Sequence, residues 1–209
     1  MNIVQPLNWK DIQQRVAPQS PEGVPWWLYN TQTYTDNAST KLTFFTATDS
    51  NEDLTNLPSG GVLPADQCLF IHNIYIDYFL AAGTAFVTAG AGAAVTGVVD
   101  DIGLLHLGGR GRLLLKIRSK DYGPWPISAF QGLGSLNMVI NGTQAAGADL
   151  QAATNAQGVG SGRGALGGAI VIPPQTSFQV SLLWPAAINL TADYRVRVTL
   201  HGALYRNIQ

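Results

Sequence analysis

The stretch from Asp53 to Leu80, DLTNLPSGGVLPADQCLFIHNIYIDYFL, constrains this chain more than any other. Its first half holds Pro58, Gly60, Gly61 and Pro64, so it is neither helix nor long strand but an ordered turn. Its second half, Cys68 to Leu80, is almost wholly apolar, aromatic or β-branched and predicts a strand. Phe70, Ile74, Ile76, Tyr78 and Leu80 share one parity and are expected on one face. Leu69, Ile71, Asn73, Tyr75, Asp77 and Phe79 fall on the other, so one face reads as core and the other as partly wet.

Other stretches carry the same period. Lys41–Thr48 is a short β-rich run. From Arg112 to Arg118, Leu113, Leu115 and Ile117 alternate with Arg112, Leu114, Lys116 and Arg118. Gly168–Pro174 reads as a strand stopped by two prolines. Phe178, Val180, Leu182 and Trp184 share a face, as do Tyr194, Val196, Val198, Leu200 and Leu204. Arg195, Arg197, Thr199, His201 and Tyr205 fall opposite that last set. Val98–Leu107 suits one brief helical turn. The segment 121–126, DYGPWP, reads as a turn whose prolines exclude a central strand. Strands of varied spacing without an amphipathic helix point to an all-β sandwich. About eight short antiparallel strands in two sheets is the arrangement of a single jelly roll.

Domain organisation follows from the gaps. Residues 1–39 read as an extended N-terminal arm and 40–209 as the jelly-roll domain. In the arm, Asn8 is placed to cap a helical turn over 9–16, which Pro18, Pro21 and Pro25 end. Trp26, Trp27 and Tyr29 then need a surface to pack on, either the edge of their own domain or a neighbouring subunit. Residues 81–97 and 141–168 are long loops rich in Gly and Ala, too poor in bulky side chains for a core.

Only 12% of the residues are charged, against about 25% in an ordinary domain. Residues 1–105 carry three Lys/Arg and ten Asp/Glu, a net −7, and residues 106–209 carry nine and three, a net +6. This asymmetry suits an acidic surface meeting a basic one, within the fold or between neighbours, with Arg195 and Arg197 as candidates. It does not suit a nucleic-acid-binding domain, which shows an overall basic excess. The start of the chain shows no secretory pattern and no stretch is apolar enough to span a membrane. Cys68, the one cysteine, reads as a small buried hydrophobe.

Nothing in the sequence signals chemistry. His72, His106 and His201 lack metal-ligand spacing. Asp100 and Asp101 read as helix caps rather than a catalytic pair. Asp49–Asp53 begins like a calcium loop, but Leu54 and Gly60 stand where its Gly and Glu belong, so an acidic turn is expected. Gly162–Gly167 matches G-x-G-x-x-G without the required strand before it and helix after it. No catalytic residue, metal ligand or cofactor site is therefore expected, and the chain is not expected to be an enzyme.

The order of segments resembles the single jelly-roll capsid proteins of tailless icosahedral bacterial and archaeal viruses. Leu54–Pro58 leading through Leu63 and Pro64 to Phe70 carries the likeness, as do Gly111–Ile117 with the Tyr122-Gly-Pro turn and the ending from Val198. The resemblance implies a capsid shell subunit of the virion, made in the host cytoplasm. Such a subunit self-assembles through its loops and arm with copies of itself and other virion proteins, often over an internal membrane. It implies no specific nucleic acid and no small-molecule substrate. The other class considered is a carbohydrate-binding or receptor-binding jelly roll of a spike or lectin, with Trp125 and Trp26 stacking on sugar rings.

Overall fold

The structure, a computed structural model, describes residues 21–46, 53–57, 59–80, 101–130, 136–138, 153–155 and 165–207. The described residues form ten strands: β1 (Pro21–Tyr34), β2 (Lys41–Phe44), β3 (Gln67–Leu80), β4 (Arg112–Ile117), β5 (Lys120–Pro126), β6 (Leu136–Met138), β7 (Ala153–Asn155), β8 (Ala165–Ile172), β9 (Phe178–Leu183) and β10 (Tyr194–Asn207). Two four-stranded sheets run in the orders β1-β10-β3-β8 and β2-β9-β4-β5, and β6 pairs only with β7. Every pair is antiparallel. The fold is a β-sandwich. Its pairing is nested: β1 with β10, β2 with β9, β3 with β8, and β4 with β5. The expected helical turn is present from Asp101 to Gly108 and ends in π geometry.

The core lies between the sheets and follows the two-residue period of their strands. Leu113, Leu115 and Ile117 of β4 are buried, as are Phe178, Val180 and Leu182 of β9. Tyr194, Val196, Val198, Leu200 and Leu204 of β10 join them, as the alternation predicts. Trp184 packs edge-on against Tyr34, 5.0 Å between ring centroids. Phe44 and Phe45 are both buried although adjacent. A plain strand cannot do this; Phe45 has φ +66°, which turns its ring back into the core. The side-chain oxygen of Asn30 accepts from the Phe45 N–H at 3.0 Å and holds that conformation.

Strand β3 departs from the expected face. Leu69 and Ile71 line the core with Ile74 and Ile76, although the two pairs differ in parity. The reason is a β-bulge: His201 pairs with Asn73 while Gly202 pairs with Ile71, leaving His72 without an opposite residue. Phe70 is thereby moved to the outer side of the sheet, where it meets Tyr205 edge-to-face at 5.1 Å. His72, expected within the most buried strand, is exposed at the bulge.

Two further expectations are corrected. Residues 21–34 are not part of an irregular arm; they pair with β10 along their whole length, from Pro21↔Asn207 to Tyr34↔Tyr194. Pro21 and Pro25 are tolerated because β1 is an edge strand. Residues 21–34 therefore belong to the sandwich rather than to an arm reaching residue 39; residues 1–20 lie outside the described residues, as do the expected loop at 81–97 and most of that expected at 141–168. The segment expected as a turn at 121–126 is edge strand β5, and the turn sits before it at Arg118, φ +54°.

Each edge of the two four-stranded sheets carries a device against strand addition. Residues 53–57 cover β1: the Thr31 N–H donates to the Leu54 carbonyl at 2.7 Å, and Asn56 clamps the backbone on both sides of Leu28. Strand β8 is interrupted, passing from Ile71↔Ile170 to Asn73↔Ala165, with Gly167 at φ +67°. Strand β5 carries Pro124 and Pro126, and β2 is four residues long and opens on Lys41.

Gly202 is where the bulge is most demanding. A Cβ there would stand 1.7 Å from the Phe70 carbonyl oxygen. Gly202→Ala is expected to destabilise the fold by about 3 kcal/mol or more, because backbone on both sides resists the shift. Urea unfolding of the variant measures it; a loss below about 1 kcal/mol would mean that the two strands are not this close.

Candidate functional site

The outer face of the first sheet gathers the side chains that the core does not use. On β1 it presents Trp27, Tyr29, Thr31 and Thr33; on β10, Arg195, Arg197, Thr199 and His201; on β3, Asn73, Tyr75, Asp77 and Phe79. Register places them in rows across the three strands: Trp27–His201–Asn73, Tyr29–Thr199–Tyr75, Thr31–Arg197–Asp77 and Thr33–Arg195–Phe79. Trp27 stacks on His201 with centroids 3.8 Å apart and on Tyr75 at 5.9 Å. Thr199 is buried among these rings.

Arg197 sits within this face and is fully engaged there. Its Nε donates to Thr31 Oγ1 at 3.1 Å and its Nη2 to the Asp53 carbonyl at 2.7 Å. Its guanidinium also lies 4.8 Å from the centre of the Tyr29 ring and 5.1 Å from that of Phe79. Arg197 faces outward as the alternation predicts, but its donors serve its own chain rather than a neighbour. Arg195 is exposed.

Trp27 is held in place as well as exposed. Asn56 Nδ2 donates to the Trp27 carbonyl at 2.6 Å, and Asn56 Oδ1 accepts from the Tyr29 N–H at 2.9 Å. Among the described residues the exposed large hydrophobic side chains are Trp27 (42%), Leu104 (41%), Phe79 (37%) and Trp26 (36%); three of the four belong to β1 and β3 of this sheet. Trp125, the other tryptophan considered for sugar stacking, is half-buried and packs edge-on against Phe130.

Of the titratable residues singled out in the sequence, His72, His106, His201 and Asp101 lie within the described residues and Asp100 lies outside them. No group of three or more His, Cys, Asp or Glu side chains that could hold a metal ion occurs among the described residues. His72 and His201 come near each other across the bulge, and burial first, then His72, lower the His201 pKa. Asn73 Nδ2 lies 3.3 Å from His201 Nδ1 and orients the ring. His106 stands apart, its Nδ1 3.1 Å from the Tyr78 hydroxyl. Burial pushes the Cys68 thiol up to about 12, so it stays protonated and unreactive. Of the calcium-like segment 49–53, only Asp53 lies within the described residues. In the G-x-G-x-x-G segment, residues 162–164 lie outside them, and Ala165–Gly167 belong to β8 rather than to a helix.

Asp101 is the residue the sequence misplaced. Its carboxylate does not serve as a local cap. It is buried and accepts from the Thr191 N–H at 2.9 Å, from the Thr191 hydroxyl and from the Tyr194 hydroxyl at 3.0 Å. Burial, and then Asp101, raise the Tyr194 pKa. With the Trp184 Nε1–H donating to the Leu105 carbonyl at 3.1 Å, these contacts tie the helical turn to the end of the sandwich. No local pattern announces a contact spanning ninety residues.

No family model, no curated protein and no solved structure matches this chain.

His106 gives a pH dependence whose sign follows from its site. Burial lowers its pKa below the ordinary value of about 6.5, so the folded chain holds its proton less tightly than the unfolded chain. This group's contribution to stability is whole above pH ~6.5 and falls as pH drops from there through the folded value. Replacing His106 with Gln should flatten that fall in urea midpoints measured across the window. An unchanged slope would mean that His106 is not the group responsible.

Proposed function

We propose that this chain is a structural subunit that self-associates, a capsid shell protein of a virion, rather than an enzyme. The observation that carries the reading is the outer face of the first sheet, where exposed aromatics are fixed on rigid strands while the described edges of both four-stranded sheets are blocked. With edges blocked, association falls to faces and loops, and an exposed aromatic patch is the ordinary signature of such a contact. Sparse surface charge supports the same conclusion. The nested pairing of β1 with β10, β2 with β9, β3 with β8 and β4 with β5 supports reading the sandwich as a jelly roll, an architecture common to capsid and lectin domains. The partners in this reading are copies of the chain and other virion proteins, with an internal membrane beneath the shell as the resemblance implies.

The second reading, a carbohydrate-binding domain, is favoured by Trp27 alone: its ring packs on His201 and is 42% exposed, as a sugar-stacking ring requires. Particle size separates the two. The purified chain is expected to form large assemblies or small closed oligomers, measured by light scattering and sedimentation, and Trp27→Ala to weaken them tenfold or more, about 1.4 kcal/mol. A monomer that binds a glycan array through Trp27 would replace the shell reading with the lectin one.

The arm is tested by truncation at the right place. Deleting residues 1–20 is expected to leave the melting temperature within a few degrees and to impair assembly. Deleting residues 1–27 would also remove half of β1 and is expected to unfold that edge of the sheet. Normal particles from the shorter deletion would show that the arm is dispensable.

A further inference from the structure

A subunit that builds anything beyond a simple ring needs more than one contact surface. The second sheet supplies a surface of different character. Its outer face carries Lys41 of β2 and Arg112 of β4 in one row, joined through Leu183, with Lys116 further along β4. Lys41 and Arg112 are exposed, whereas Lys120 stands opposite the inward Ile117 with its ammonium over the Tyr122 ring, and Arg118 Nη2 donates to Thr176 Oγ1 at 3.1 Å, so neither of these adds to the row. Asp121 lies opposite Lys116 in the ladder. The Arg206–Glu22 ion pair, 3.1 Å, lies on the other sheet. Lys41 and Arg112, in one row with Leu183 between them, repel each other.

The complementary charge lies at the same end of the sandwich. The turn at 35–40 leads directly into Lys41, and Thr40 accepts from the Trp184 N–H at 2.9 Å. On that turn the Asp36 N–H donates to Asp193 Oδ1 at 2.9 Å, and Asp36 Oδ1 accepts from the Leu190 N–H at 2.6 Å. Asp36 and Asp193 thus form an acidic corner, with Asp193 exposed and neither in an ion pair among the described residues.

We infer that the basic row Lys41–Arg112 and the acidic corner Asp36–Asp193 form one self-complementary surface that binds a second copy of this chain about a two-fold axis. In such a contact the corner of each copy meets the row of the other, so each ion pair occurs twice. The chain supplies both halves, since each copy carries the row and the corner side by side where the turn at 35–40 enters β2. A nucleic acid or anionic membrane would use the row and be repelled by the corner, which favours a second copy. This inference rests on the self-association proposed above and assigns it a second surface.

The test is a charge exchange followed by sedimentation velocity at low and high salt. Asp193→Lys reverses the exposed charge of the corner; Lys41→Glu with Arg112→Glu reverses the charge of the row. Each variant alone is expected to weaken the contact tenfold or more, and an equimolar mixture to recover it, since the reversed corner then meets the reversed row while the unaltered row meets the unaltered corner. Wild-type association should weaken as salt rises. Melting curves within a few degrees of wild type establish that the variants fold. Variants that associate like wild type, or folded variants whose mixture does not recover, overturn the inference. If Trp27→Ala abolishes assembly while the charge variants do not, the self-association reading stands and this surface falls. A wild type that stays monomeric, or that binds oligonucleotide or anionic vesicles through the row instead, removes this surface as a self-contact.

Discussion

The structure depends on β10. It runs fourteen residues with β1 on one side and β3 on the other, and its inward residues Tyr194, Val196, Val198 and Leu200 supply the middle of the core. That position is possible only because Gly202 lets the backbone of β3 approach at the bulge. The extra residue on β3 then switches which of its side chains face inward, so that Leu69 and Ile71 reach the core before the bulge and Ile74 and Ile76 after it. One absent side chain thus sets the facing of a strand, the exposure of His72 and the outward placement of Phe70.

The same sheet divides its polar side chains between holding and presenting. Asn56, Thr31 and the Asp53 carbonyl are used to hold β1 and Arg197. Arg197 spends donors on Thr31 and the Asp53 carbonyl and lays its guanidinium by the Tyr29 and Phe79 rings, so it is held within the aromatic face. The second sheet is the opposite case, with cations outward and no ion-paired carboxylates among the described residues. Two outer faces of different chemistry suit a subunit that makes more than one kind of contact.

Closed edges explain how such a chain avoids indiscriminate pairing. Prolines on β1 and β5, the interruption of β8 and the covering segment 53–57 each deny a partner the unbroken row of backbone groups that strand addition needs. In the proposed self-association, contact is left to side-chain complementarity, which is more selective because it depends on shape and charge at named positions.

The all-β class, β4, β9, the inward face of β10 and the burial of Cys68 were legible in the sequence, because regular strands half-buried in a core impose a two-residue alternation. The chain could not reveal where that alternation breaks. A bulge depends on the strand opposite, so the facing of Phe70 and His72 was decided by Gly202, 130 positions beyond His72. The Trp-rich segment read as an irregular arm because its prolines argue against a central strand, and only the pairing with β10 makes it an edge. The candidate site was visible as loose parts: Trp27 and Tyr29 as rings needing a surface, Arg197 as an outward charge, His201 as a strand histidine. Their assembly into one face, and the diversion of Arg197 and Asp101 to intrachain contacts, required three strands in register, which no local pattern encodes.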